Sequence, residues 1–328
     1  MRILEPQSGR GMEIIGSIEG LAEIPEGAST HLTLGAYDGV HIGHQALIRR
    51  TVETAEERGA LSVVFTFRNH PLSILAPSYV PPRLTTDDVR IRLFSEMGVR
   101  ILVLVEFDHA LAHLTATEFT REILVKRLRI RHVVCGHNFH FGQGGAEDVQ
   151  SLKEKGAEMG FTVEQLEPVK VRGVIVNSSR VRELLTQGLV STAAEFLGRP
   201  YSIRGEVARG TGRGRTLTYP TANIVPCEDI LLPGSGVYVV RVIVDGAPHG
   251  GMMSIGTNPT FPPEHFSIEA HLFDFNGNLI GKVIEVEFIH RMRMEMKFEN
   301  AEALVLQMRR DEMSARKFLE GYITKILR

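Results

Sequence analysis

His41 and His44 flank Gly43 in the stretch Gly35-Ala-Tyr-Asp-Gly-Val-His-Ile-Gly-His44, directly after the apolar run Leu32-Thr33-Leu34. A strand that ends in a glycine, an Asp38-Gly39 turn and a following amphipathic stretch predict a strand–loop–helix unit. At a helix N-terminus, side chains at i and i+3 face the same way, and they add donors to backbone N–H groups that already favour an anion. Such a cradle suits a phosphate, above all one that gains charge during transfer. Gly35, Asp38 and Gly43 would shape it around His41 and His44. The same residues also fit a surface turn with incidental histidines, or half of a zinc site completed by His137 and His140. For zinc, the sequence supplies no closed tetrahedral set with supporting carboxylates.

Other stretches fall into place around this one. In Gly136-His-Asn138-Phe139-His-Phe141-Gly142, phenylalanines alternate with polar side chains. One face could stack on a flat ring while Asn138 hydrogen-bonds; two core phenylalanines in an ordinary turn are the equal alternative. In 177–182, Ser178 or Ser179 can cap the following helix, and Arg180 or Arg182 can meet a triphosphate. Phe67–Pro71 ends another predicted strand and would reach the same rim. Further on, Gly210, Gly212 and Gly214 interleave with Arg209, Arg213 and Arg215. Backbone N–H groups in such a loop can approach phosphates that the arginines neutralise, although the Walker pattern is missing. Thr221 and Asn223 lie two apart on extended backbone and project oxygens to one side. Those are hard donors suited to Mg²⁺ that shares phosphate oxygens. Glu269, in the predicted strand Ser267–Leu272, can take a proton from an attacking hydroxyl, as phosphoryl transfer needs; a solvated glutamate is the alternative.

The elements that must position these groups change character along the chain. Strands are predicted at His31–Leu34, Leu61–Phe67, Val99–Phe107, His132–Cys135 and Phe161–Leu166, and helices at Gln45–Arg58, Asp87–Met97, Ala116–Leu128 and Val149–Met159. This alternation predicts an α/β domain whose parallel sheet carries helices on both faces, with ligands outside the strands' carboxyl ends. After Gly198-Arg199-Pro200 the chain turns to short β runs, Val237–Val244, Ser267–Leu272 and Val283–Phe288. These predict a small antiparallel sheet or barrel, followed by a helical tail in which Ala301–Met308 and Met313–Ile326 are both amphipathic. The boundary is placed near residue 195, giving domains 1–195 and 196–328.

At 328 residues, 43% apolar and 23% charged, the chain reads as two ordinary globular domains. Thirty-seven Lys and Arg against 39 Asp and Glu leave a net charge of −2. That argues against a bulk nucleic-acid or anionic-membrane partner, so any phosphate site must be local. Cys135 and Cys227 form neither a CxxC pair nor a disulfide framework, and no apolar run approaches the ~20 residues of a membrane span. A cytoplasmic location with small-molecule partners is expected. The sequence leaves open whether copies associate into a homo-oligomer.

Taken together, these motifs resemble the bifunctional bacterial riboflavin kinase/FMN adenylyltransferases, or FAD synthetases, over nearly the full length. Gly35–His44 with Gln45 is similar to that family's Gly-x-Phe-Asp-Gly-Val-His-x-Gly-His-Gln signature. Leu84-Thr85-Thr86, Gly136–Gly142 and Ser178–Arg182 follow in the family's order. The Gly-Arg-x-Leu-x-Tyr-Pro-Thr-Ala-Asn run, Ser254–Phe261 and Arg291–Phe298 resemble its kinase half. The resemblance implies a Rossmann-like nucleotidyltransferase domain followed by a riboflavin kinase-like β-barrel with a helical tail. It implies ATP-dependent phosphorylation of riboflavin to FMN in the second domain, then adenylyl transfer from ATP to FMN in the first, giving FAD and pyrophosphate. By motif, His41 and His44 bind ATP phosphates and stabilise the adenylyl transition state, and Ser178 and Arg182 sit near ATP phosphate. Asn138, with Phe139 and Phe141, lines the adenylyltransferase pocket. Gly210, Gly214 and Arg215 belong to the kinase phosphate loop, Thr221 and Asn223 hold Mg²⁺ with ATP, and Glu269 is the kinase base. Departures are Tyr37 for Phe, Asn69 for Pro, Asn138 and His140 where Asp and Arg are common, and Asn278 and Ile280 for Asp and Tyr. Two readings from other classes compete: a flavin-nucleotide-binding regulator without turnover, and an aminoacyl-tRNA-synthetase-like ligase. The second lacks a Lys-rich signature and a basic RNA-binding appendage.

Overall fold

In the computed structural model, which describes residues 11–23, 27–209, 219–257 and 266–326, six parallel strands form the first sheet. They are β1 (Glu13–Ile15), β2 (Thr30–Leu34), β3 (Leu61–Phe67), β4 (Ile101–Val105), β5 (Ile130–Gly136) and β6 (Thr162–Leu166). Their spatial order is β1-β4-β3-β2-β5-β6. The chain runs outward from β2 through β3 to β4, then returns to place β5 on the other side of β2. The strand order therefore reverses beside β2, and the crevice at the carboxyl ends of β2 and β5 is where open α/β sheets bind ligands.

Both faces are covered, which is why these strands are nearly continuous apolar runs. Along β3 and β4 successive side chains go to opposite cores. Val63, Phe65, Ile101 and Val103 pack with Phe119, Leu124 and Leu152. Val64, Leu102 and Leu104 pack with Ile48, Val52 and Phe94. The second group comes from α1 (Ile42–Glu57) and α2 (Asp87–Glu96), while Leu152 comes from α3 (Val149–Met159). The helix expected at Ala116–Leu128 is helical but not uniformly α. After Ala116–Glu118 it winds as a π-helix over Phe119–Arg127, with Leu128 N–H donating to Ile123 C=O at 2.9 Å. A hairpin of β7 (Lys170–Val171) and β8 (Val174–Ile175) was not anticipated.

His31 of β2 and His132 of β5 face α1 as a register pair with ring centroids 5.1 Å apart. His31 is buried, and its Nδ1 lies 3.0 Å from the Thr54 hydroxyl. Burial first, then His132 and Arg58, hold its imidazole down to about 4. Because the folded pKa lies below the unfolded one, the unfolded chain binds more protons between pH ~6.5 and about 4. Stability of this unit should thus be complete above pH ~6.5 and fall on acidification by up to about 1.4 kcal/mol per pH unit. Urea titrations across this range should show that slope, and His31→Asn should flatten it.

By packing, the chain divides at Asn177/Ser178 into two units. The second begins with α4 (Ser178–Thr186) and α5 (Val190–Leu197). Six antiparallel strands follow: β9 (Tyr201–Ala208), β10 (Ala222–Pro226), β11 (Gly236–Val244), β12 (Ala247–Gly256), β13 (Ser267–Leu272) and β14 (Val283–Arg293). They close into a barrel in the order β10-β13-β12-β11-β14-β9. β9, β10 and β12 were not among the named runs; in β12, Pro248, Gly250 and Gly251 interrupt the pattern. The glycines are needed there: a Cβ at Gly251 would sit 2.6 Å from the His271 carbonyl oxygen.

The helical tail is a single helix, α6 (Ala301–Ile326), which joins both amphipathic stretches. The polar run Arg309-Arg310-Asp311-Glu312 breaks the apolar pattern but contains no helix breaker, so the backbone continues through it. Ala315 and Leu319 of α6 cover an outer barrel patch of Val239, Met252, Phe273 and Ile289. The helix is also fastened by charge. Asp311 is 5% exposed and takes Arg293 Nε at 3.0 Å and Nη2 at 2.8 Å on one oxygen, with Gln307 Nε2 at 2.9 Å on the other. Removing one partner strands a buried charge, so Arg293→Ala should cost about 3–5 kcal/mol, read as a lower urea midpoint for this unit. Among the described residues, no helix is long and apolar enough to cross a membrane.

Candidate active sites

The loop between β2 and α1 turns sharply, with Tyr37 and Val40 at φ of +48° and +40°. His41 caps α1, its Nδ1 accepting from the His44 backbone N–H at 3.2 Å. That bond fixes the neutral tautomer of His41 with its proton on Nε2. The two imidazoles stack, centroids 3.6 Å apart and planes 19° from parallel. Gly43 permits the stack, since a Cβ there would lie 3.2 Å from the His41 ring. Tyr37 is buried and meets His44 edge-on at 5.1 Å, its hydroxyl 2.5 Å from that of Thr33. Nδ1 of His44 is enclosed and has no hydrogen-bond partner among the described residues. Burial, then the neighbouring His41, hold the His44 imidazole well below its usual pKa. At neutral pH this is a pair of neutral, ordered rings at a helix N-terminus, so a triphosphate would meet preoriented donors rather than mobile cations.

Asp38, expected among the phosphate-binding residues, ties this loop to Leu84 and Thr85. Its carboxylate accepts from Leu84 N–H at 2.9 Å, and from Thr85 N–H at 3.1 Å and the Thr85 hydroxyl at 3.2 Å. Gly39 N–H donates back to that hydroxyl at 3.0 Å. A carboxylate so engaged shapes the cradle and presents no donor to an anion. Across the crevice, β5 leads into the 136–142 stretch. Asn138 is exposed there and Phe139 half-buried. Phe141, expected in the flavin pocket with them, belongs to the core: it is 7% exposed, and Phe139 stacks on it at 5.6 Å. Alternation with polar residues reflected this packing as much as a stacking face. In Phe67–Pro71, Asn69 clasps Phe107, donating to its C=O at 2.9 Å and accepting from its N–H at 2.8 Å. Ser178 and Arg182 are half-buried on α4, which packs within the second unit.

On the barrel, Ala222 and Ala270 pair across β10 and β13 and are both buried, so they point inward. Their neighbours Thr221, Asn223, Glu269 and His271 therefore share the outer face. Asn223 lies directly opposite Glu269, and Ser254 of β12 lies opposite it on the other side. The Thr221 hydroxyl donates to one oxygen of Glu269 at 3.0 Å, and the Ser267 hydroxyl to the other at 3.1 Å. Two hydroxyls, one on each oxygen, thus orient the carboxylate. The hydroxyl, amide and carboxylate oxygens on one face fit a hard divalent ion such as Mg²⁺. Among the described residues no three His, Cys, Asp or Glu side chains are grouped to hold a metal. An ion held by these oxygens would share oxygens of the phosphates and keep several waters. Gly210, Gly214 and Arg215 lie outside the described residues, as do positions 258–261 of the Ser254–Phe261 motif.

A family model for FAD synthetase matches residues 24–180, and one for riboflavin kinase matches residues 197–319. The bifunctional riboflavin kinase/FMN adenylyltransferase of Escherichia coli strain K12 is 36% identical over 308 residues, 94% of this chain and 98% of its own length. The chain belongs to this family. The enzyme of the same name from Bacillus subtilis strain 168 is 34% identical over 90% of the chain and 94% of its own length. A crystal structure described as a macrolide-efflux protein from Streptococcus pneumoniae superposes with a TM-score of 0.84 at 32% identity, covering 93% of this chain and 98% of that one. The riboflavin kinase/FMN adenylyltransferase membership and the two-part fold agree with the sequence reading, and the models occur in the order expected.

The sequence reading missed what steadies the two sites. Local pattern gives Thr85 and Ser267 no role of their own, yet both hydroxyls hold a carboxylate of a candidate site. Arg90 went unremarked; it is 4% exposed and reaches back to the His41 loop. A charged residue on the apolar stripe of a predicted helix was the available signal.

Proposed function

We infer that this chain makes FAD from riboflavin in two ATP-dependent steps: phosphorylation to FMN, then adenylyl transfer to FMN. We assign adenylyl transfer to residues 1–195 and phosphorylation to 196–328. In the first step the riboflavin 5′-hydroxyl oxygen forms a bond to the ATP γ-phosphorus. The bond to the β-phosphate oxygen breaks, and ADP leaves. Glu269 takes the hydroxyl proton, with Thr221 and Ser267 keeping its carboxylate aimed. Thr221 and Asn223 would hold Mg²⁺ with ATP, and the ion, when bound, neutralises charge on the phosphates. Gly210, Gly214 and Arg215 would line the triphosphate.

In the second step an FMN phosphate oxygen attacks the α-phosphorus of another ATP and pyrophosphate leaves. His41 and His44 meet the charge that develops on the transferring group, Ser178 and Arg182 bind ATP phosphate, and Asn138 and Phe139 take part in the acceptor pocket. ATP use and two unpaired cysteines make the cytoplasm the setting for this reading. The observation that carries it is the ordered His41–His44 stack at the switch point of the parallel sheet, in a chain that also holds Glu269 opposite Asn223. Incubation with riboflavin, ATP and Mg²⁺, with flavins resolved by chromatography, should show FMN appearing first and FAD after it. A protein that binds flavin and makes neither product would refute the assignment.

A further inference from the structure

The first turns of α2 do more than pack against the sheet. Asp87 and Arg90 lie on successive turns there, and Arg90 turns its guanidinium inward between two loops. Its Nη1 donates to the Ala36 carbonyl at 3.1 Å, and its Nη2 to the Phe67 carbonyl at 2.8 Å. Asp87 anchors the same guanidinium at 2.5 Å and is itself met by Arg68 and Arg83. The Thr66 hydroxyl also donates to the Ala36 carbonyl, at 3.1 Å. Ala36 C=O belongs to the peptide that leads into Tyr37, whose φ of +48° few non-glycine residues adopt. Two donors therefore fix the rotation of the one peptide that sets Tyr37, and Tyr37 lies edge-on against His44.

We propose that Arg90, anchored by Asp87, is a positioning residue for adenylyl transfer: by pinning the Ala36–Tyr37 peptide and the end of β3 together it holds the His41–His44 stack in register with the crevice. The proposal rests on the reading of His41 and His44 as adenylyl-transfer residues. Arg90 touches no reacting atom in this scheme; it acts through the backbone and Tyr37. A planar fork is required, because one carbonyl in the β2–α1 loop and one at the end of β3 are bound by the two ends of one guanidinium, which a lysine ammonium cannot copy.

The test uses the full-length protein, with FMN, ATP and Mg²⁺ for one activity and riboflavin, ATP and Mg²⁺ for the other. Arg90→Gln should lower kcat for FAD formation about 100-fold, the scale of a sub-ångström to 1 Å misplacement. KM for FMN and ATP should move by less than about threefold, since binding groups stay in place. Arg90→Lys should recover roughly tenfold of the loss by keeping one carbonyl bond, and the riboflavin kinase rate should be unchanged in both. A kcat within about twofold of wild type, a loss confined to KM, or no recovery in Arg90→Lys overturns the proposal. Thr66→Val, nearly isosteric, removes the other donor to Ala36 and covers the case in which Arg90→Gln does not fold. It should lower kcat several-fold with KM held, and an unchanged kcat overturns the proposal. His44→Ala is run alongside: if it stays active, the reading of the site itself has failed; if it is inactive while Arg90→Gln is not, only the positioning role has.

Discussion

His44→Ala should abolish FAD formation from supplied FMN and leave riboflavin phosphorylation at its wild-type rate. The expected loss is about 10²–10³-fold in kcat, the effect of deleting one preorganised donor to developing charge. Three features support the upper part of this range. The ring is stacked on His41, held edge-on by Tyr37 and enclosed at Nδ1. Alanine would remove both the donor and the ring on which His41 stacks. The fold should survive, because the bond that closes the first turn of α1 comes from the His44 backbone N–H, which alanine keeps. His44→Asn, which retains a donor of different reach, should lie between the two. Equal loss of both activities would contradict the separation of the sites.

Glu269→Ala should do the reverse. Loss of a positioned general base costs about 10²–10⁴-fold, so riboflavin should stay unphosphorylated while supplied FMN is still converted to FAD. Glu269→Gln is the more demanding variant. Its amide can accept from the Ser267 or Thr221 hydroxyl as the carboxylate oxygens do, and Asn223 still faces it across the strand pair. Shape and hydrogen bonding would persist while basicity is lost, so the same drop in Glu269→Gln would separate proton acceptance from structure. A variant that phosphorylates riboflavin at the wild-type rate would remove Glu269 from this role.

The alternation of β2 to β6 with their helices was legible because the buried strands are apolar runs and the helices periodic ones, whereas the three residues of β1 (Glu13–Ile15) are too few to show a pattern. The site loops were legible for a related reason: glycine, asparagine and histidine are conspicuous beside such runs. Less visible were groups whose function depends on tertiary reach. Arg90 sits on a helix stripe and acts on a carbonyl 54 positions earlier in the chain, and no local pattern records that. The Asp38 carboxylate meets the amides of Leu84 and Thr85, more than forty positions along the chain, which no local spacing shows. Phe141 shares its spacing with a stacking residue and its burial with the core. Strand β12 was hidden because close backbone contact at Gly251 requires residues that read as turns.

On the proposed function the two sites are chemically independent, and FMN passes between them through solution. Mixing the two inactive variants tests this most directly. With riboflavin, ATP and Mg²⁺, His44→Ala alone should stop at FMN and Glu269→Ala alone should leave riboflavin untouched. Their mixture should produce FAD after a lag set by FMN accumulation. A mixture that yields no FAD, although His44→Ala has filled the solution with FMN, would contradict the account.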